Sequence, residues 1–222
     1  MKYYDLYVHA DNLEEAVKIA KKLGWSGMGV IKPLDNKNLQ KIAGKSIDIA
    51  AGVEIQTEKP KELKKTLRGV RKRVELIAVR GGDLEVNRTA LSSPEVDILI
   101  RPWLNRHDSG LNHILVKLAK KNNVAVLFDF KDILYSSRRT RIELMSHMGE
   151  AAKLIRKYKA PFVISSGAMI PFDLRSPSEL MSFGKVLGFK DPEIKEAMSA
   201  KIITENRKRL GGKWVMPGVE VE

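Results

Sequence analysis

Along the chain, short near-continuous apolar runs alternate with longer stretches whose apolar residues recur every three to four positions. The runs predict strands at Tyr3–His9, Gly27–Ile31, Ile47–Ile55, Glu75–Val79, Asp97–Ile100, Val124–Phe128 and Phe162–Ser165. Runs such as Val124-Ala-Val-Leu-Phe128 leave no polar face, as expected for parallel strands buried on both sides. The intervening stretches carry helix punctuation. Asp11 with Glu14 reads as a capping box, and that helix stops at Gly24. Pro60 suits a first helical turn, and Asn112 or a neighbour opens a helix that ends near Asn122 and Asn123. The longest helix spans Arg139 to Tyr158, with Pro161 closing its exit. After Ser165 the pattern is helical, first Pro177 to Leu187, then Pro192 to about Leu210. Strands alternating with helices argue for parallel βα units. Seven strands make an α/β, TIM-barrel-like but incomplete barrel with extra C-terminal helices; an open doubly wound sheet is the second choice. One domain is expected over residues 1–210, with an irregular tail over 211–222.

The end of the first strand gives this architecture a chemical question. In such barrels the ligands and catalytic groups stand at strand C-termini. His9 falls there, and residue 7 points the same way. A His-x-His pair would place two imidazoles on one metal ion, but position 7 is tyrosine, a poor ligand for such ions.

Charge changes the picture further. The 222 residues hold 40 Lys and Arg against 27 Asp and Glu, a formal net charge of +13. Self-repulsion of that size favours a polyanionic partner, nucleic acid first. The hydrophobic content of 43% is enough for a sizeable core. The chain has no cysteine, which excludes disulfides, thiolate metal sites and a thiol nucleophile. It shows no signal-peptide pattern and no apolar stretch of membrane-spanning length, so no membrane partner and a cytoplasmic location are expected.

The candidate chemistry lies at strand exits and on basic helices. Lys59–Arg73 is the densest charge run; Leu63, Leu67 and Val70 form its apolar stripe, so the bases face outward, either solvated or against phosphate. Arg138-Arg139-Thr140-Arg141 opens the longest helix, where positive charge opposes the helix dipole and either a phosphate or Glu143 would offset it. The exit Arg101–His113 reads as a polar binding loop. In it Asp108 is expected to cap the next helix. His9, His107 and His113 are a weaker candidate metal set. Glu54 and Asp129 end strands that would share a mouth with His9, and Ser165-Ser166-Gly167-Ala168 offers backbone N–H groups to an anion. No phosphate-binding glycine loop or nucleophile elbow occurs.

Several stretches together resemble one family. Asp108-Ser-Gly-Leu-Asn-His113, then Leu118-Ala119 and Asn123-Val-Ala125, are similar to the archaeal and eukaryotic RNase P protein component 3 family. So are Asn87-Arg88 ahead of Pro94–Leu99, Ile164-Ser-Ser-Gly-Ala168, Asp173-Leu-Arg-Ser-Pro177 and Glu205-Asn-Arg207. The resemblance covers nearly the whole chain. It implies a barrel related to the metal phosphoesterases without their full metal set. It also implies a protein subunit of a ribonucleoprotein that removes the 5′ leader of precursor tRNA, with the RNA doing the chemistry. The partners implied are RNase P RNA, precursor tRNA, and RNase P protein component 2 and the other RNase P proteins. Pairing with component 2 is expected as a heterotetramer. No cofactor is expected on the protein, and Mg2+ is expected on the RNA.

On this reading no residue is assigned to catalysis or to metal. The expected RNA contacts are Arg88, Arg101, Arg106, His113, Arg138, Arg139, Arg141 and Arg175, because the planar guanidinium binds phosphate in bidentate fashion. The first rival is a divalent-metal-dependent phosphoesterase using His9, Glu54, Asp129 and His113. The second is a metal-free barrel enzyme acting on an anionic metabolite through the arginine loop and Ser165-Ser166.

Overall fold

Every expected apolar run forms a strand, and all seven join one parallel sheet in chain order. The strands are β1 (Tyr4–Val8), β2 (Gly27–Ile31), β3 (Asp48–Ile55), β4 (Leu76–Arg80), β5 (Ile98–Ile100), β6 (Ala125–Asp129) and β7 (Phe162–Ser165). The computed structural model describes residues 2–31, 47–211, 214–216 and 219–220. Helices α1 (Leu13–Leu23), α2 (Pro60–Val70), α3 (Leu84–Ser92), α4 (His113–Asn122), α5 (Phe130–Leu134), α6 (Arg138–Tyr158), α7 (Pro177–Val186), α8 (Asp191–Ala197) and α9 (Lys201–Leu210) follow in order. The sheet curls into a nearly closed, TIM-barrel-like wall with the helices around it.

Two apolar layers result. Inside the barrel, Leu6, Leu76, Ile98, Leu127 and Val163 pack together, and Ile203 of α9 joins them. Outside, Met28, Ile77, Leu99, Val126 and Phe128 meet the helix faces of Leu63, Leu67, Val116 and Ile155. The strands therefore lack a polar face because both faces are covered.

β7 and β1 share no ladder. Loop and side-chain bonds close the gap instead. His9 N donates to Ala168 O at 2.8 Å and Asp11 N to Met169 O at 3.0 Å. Below them, Asp5 is fully buried and accepts from both hydroxyls of Ser165 and Ser166 and from the Ser166 amide.

Helix ends follow the sequence with local corrections. Gly24 (φ 91°) and Asn123 (φ 56°) close α1 and α4 in left-handed conformations. The cap of α1 is Asn12, whose side chain accepts from Glu15 N at 3.2 Å, and not the expected Asp11. The cap of α4 is Asn112, bonding the amides of Ile114 and Leu115 at 3.0 Å each, and not Asp108. The last expected helix is two, α8 and α9. The break frees Met198 O to accept from Tyr4 N of β1 at 2.7 Å. Beyond α9, Trp214–Met216 and Val219–Glu220 pair as a short antiparallel sheet where irregular chain was expected. Gly212, Lys213, Pro217 and Gly218 of that tail lie outside the described residues. No helix among the described residues is long and apolar enough to cross a membrane.

Candidate nucleic-acid interface

The strand C-termini converge on a mouth where buried carboxylates meet cations of the same chain. Tyr7 and His9 do point the same way, their rings 4.7 Å apart edge to face. The Tyr7 hydroxyl donates to Glu54 Oε2 at 2.7 Å, and His9 Nε2 lies 3.6 Å from that oxygen. The other oxygen, Oε1, takes the guanidinium of Arg80 at 2.5 Å. Burial, with Lys131 next, pushes the His9 imidazole down to about 4, so it is neutral at pH 7. Burial and the Glu54 charge push the Tyr7 phenol up, so it stays protonated as a donor.

Across the mouth, Arg101 binds Asp132 through Nε at 3.0 Å and also through its terminal nitrogen. That terminal nitrogen lies 3.9 Å from Asp129, and Lys131 Nζ lies 3.8 Å from Asp129. Burial first, and the Asp132 charge second, raise the Asp129 carboxyl well above the ordinary range. His113, proposed by the rival reading as a ligand, is exposed at the start of α4. Among the described residues no three His, Asp or Glu side chains gather as a metal site. The donors do not suit the metal of the phosphoesterase barrels: Glu54 is engaged by Arg80 and Tyr7, and Asp129 lies between Arg101 and Lys131.

The seryl exit of β7 does hold an anion, but it is Asp5. Gly167 N and Ala168 N are taken by the Ser165 and Ser166 hydroxyls at 3.2 and 3.3 Å. Burial outweighs these donors and pushes Asp5 up to about 6. Gly167 (φ 63°) closes over the mouth so tightly that a Cβ there would fall 1.8 Å from Asp129 Oδ1.

The eight expected contact residues divide by what they already hold. Arg101 is committed to Asp132. Arg106 grips Asp108 with two bonds, at 2.6 and 2.8 Å. Arg175 donates to the carbonyls of Phe172, Asp173 and Leu174 and lies over the Phe130 ring. Arg141 reaches Ser136 O at 2.8 Å. Arg139, 93% exposed, pairs with Glu143 at 3.1 Å, the internal offset weighed against a phosphate. Arg88, Arg138 and His113 are exposed, on α3, α6 and α4.

Sequence reading missed Asp5, Arg80, Lys131 and Asp132. An acid inside an apolar strand was the available signal for Asp5. The motif residues prove to be tethers. Buried Asn87 donates to Pro102 O (2.9 Å) and Gly110 O (3.1 Å) and accepts from Gly82 N (3.1 Å), binding two mouth loops together. Asp173 accepts from the amides of Met169 and Ile170 and from the Tyr135 hydroxyl. Ser176 and Glu179 cap α7 reciprocally. At the opposite end Asn206 bonds Asp97 at 2.8 Å, and Arg207 bridges Asp48 and Glu75, fastening α9 under the barrel.

The fold and mouth define a TIM-barrel-like protein whose mouth carboxylates are held by arginine and lysine. Two solved structures show the same fold alone: an Aspergillus niger ochratoxinase (TM-score 0.67, 9% identity, 90% of this chain and 70% of that one) and a putative histidinol phosphatase from Listeria monocytogenes (TM-score 0.52, 12% identity, 77% and 96%). A further match is closer: a chain in the cryo-EM structure of archaeal ribonuclease P with mature tRNA, at TM-score 0.87 and 29% identity over 97% of both chains. The pattern of the family described as RNase P subunit p30 matches residues 2–210. Ribonuclease P protein component 3 of Methanosarcina mazei is 35% identical over 99% of this chain and 95% of its own length. That of Methanococcoides burtonii is 34% identical over 99% and 93%. The chain belongs to the RNase P subunit p30 family.

Proposed function

We propose that the chain is a non-catalytic protein subunit of ribonuclease P, the ribonucleoprotein that removes the 5′ leader of precursor tRNA. Its surface neutralises RNA phosphates so that the catalytic RNA folds compactly, with Mg2+ held by the RNA. The observation that carries this reading is the mouth itself. The carboxylates that a hydrolytic barrel would offer to metal are held by Arg80, Arg101 and Lys131, while the chain as a whole carries a net charge of +13. The partners of this reading are RNase P RNA, precursor tRNA and protein component 2, the last in a heterotetramer, in the cytoplasm. Exposed Arg88, Arg138 and Arg139, with Arg106 and Arg141 after a change of partner, are the contacts on this face.

Reconstitution tests the reading. Precursor-tRNA cleavage by the cognate RNA should rise when this chain and component 2 are added. In the doubly substituted Arg106→Ala, Arg139→Ala chain, RNA affinity should fall and lose about 0.7–0.9 of salt slope per lost contact. Unchanged affinity in that variant removes these two residues from the interface; no effect of the chain on cleavage removes the function.

A further inference from the structure

At the end of the barrel opposite the mouth, below the start of β7, lies a cleft of about 880 Å3. Its floor is apolar: Phe162 and Phe189 stack with centroids 3.8 Å apart, beside Leu6, Ala125 and Val163. Its walls come from the C-terminal turns of α4 and α6 and the starts of α8 and α9. They carry Lys120, Lys153, Arg156, Lys157, Lys159 and Lys190, all exposed. No carboxylate pairs with any of these six among the described residues. The two carboxylates in the lining are occupied: Glu196 pairs with Lys201 at 2.9 Å, and Glu193 accepts the Lys190 backbone N–H at 2.7 Å.

Cations at helix C-termini answer the helix dipole, which accounts for Lys120, Arg156 and Lys157 in the last turns of α4 and α6. It does not account for Lys153 or Lys190, whereas Lys159, the C-cap of α6, is favoured by the same dipole. Lys190 stands at the N-terminal cap of α8, where the dipole disfavours a cation. Lys159 takes φ 54°, a left-handed position usually left to Gly or Asn. Local rules broken without an internal gain mark a surface shaped by something outside the chain. Five of the six are lysines, mobile point charges, with no fixed set of converging donors for a small ligand. In the aromatic floor Phe162 is half-buried and stacks on Phe189, which is itself buried and offers no ring face to a base. That combination suits phosphates read without sequence.

We infer that this basal cleft is a second RNA-backbone site, seating a run of phosphates at the end of the barrel away from the mouth. It rests on the reading that the chain binds RNA. The test uses the full chain and a transcript of its cognate ribonuclease P RNA, with affinity measured over a series of salt concentrations. The cleft variant is K153Q/K157Q/K159Q. A control of equal charge loss, K18Q/K21Q/K22Q, sits on the exposed face of α1. The cleft variant should bind roughly tenfold or more weakly and lose about 2–3 of salt slope, with the control close to wild type. A cleft variant that keeps wild-type affinity and slope overturns the cleft alone, as does a control that loses as much. Absence of binding by the wild-type chain overturns the RNA reading itself.

Discussion

At the mouth, Glu54 is gripped by Arg80 and Tyr7, and Arg101 lies along Asp132. At the base, six cations ring a cleft, and none of them pairs with a carboxylate among the described residues. The mouth is largely buried, with Asp129 2% exposed. There an unpaired charge is costly, so every ion is matched within the chain. The basal cations are in water, where an unpaired charge is cheap and remains available to a partner. Thus the arginines most conspicuous in the sequence, at the strand exits, are in part structural. The less conspicuous lysines at helix ends are the ones without a carboxylate partner among the described residues, though Lys157 lies over the Tyr158 ring.

The largest effect expected to separate the two ends is on stability. Arg101→Met leaves Asp129 and Asp132 without their guanidinium and should cost about 3 kcal/mol in urea unfolding. K153Q/K157Q/K159Q should stay within about 0.5 kcal/mol of wild type. Equal losses from both would erase the distinction.

A second test concerns the seam. The Asp5 carboxyl is raised from 3.8 to about 6 by burial, so the folded chain binds its proton more tightly than the unfolded chain. Its contribution to stability therefore falls as pH rises from about 4 to 6, by about 3 kcal/mol. His9, lowered from 6.5 to about 4, acts oppositely over that window, because protonation favours the unfolded chain as pH falls. The difference between wild type and Asp5→Asn isolates the first term. It should shrink toward low pH and widen in favour of the variant above pH 6; a difference independent of pH would show that Asp5 does not titrate there.

A smaller, local effect concerns His9. Its ring proton shift in NMR should titrate near pH 4, and Lys131→Met should move that midpoint upward. A midpoint near 6.5 in the wild-type chain would mean that the mouth is wetter and less matched than its geometry states.

How much of this was legible in the sequence depends on how local the cause is. The seven strands were legible because two covered faces leave continuous apolar runs, and Gly24, Pro60 and Asn123 mark helix ends through their own backbone preferences. The break between α8 and α9 has no such mark. It exists because Met198 O is needed by Tyr4 N, nearly two hundred residues away. The α1 cap was misplaced by one residue because Asp11 and Asn12 are both competent caps and only the backbone decides. The mouth was half legible. His9, Glu54 and Asp129 stand at strand ends, but Arg80 pairs with Glu54 across 26 residues and Arg101 with Asp132 across 31, and no spacing rule connects them. The Ser165-Ser166 loop was expected to offer backbone N–H groups to an anion; instead the amides of Gly167 and Ala168 are taken by the seryl hydroxyls, and the loop holds Asp5 from the far edge of the same sheet.

The central claim is that the mouth is closed to metal chemistry by its own cations. Calorimetric titration of Mn2+ into chelator-treated protein, beside incubation of the chain alone with precursor tRNA, tests it most directly. The account predicts no stoichiometric metal site at the mouth and no cleavage without the RNA. A one-to-one site lost in Glu54→Gln, together with cleavage by the protein alone, would contradict it.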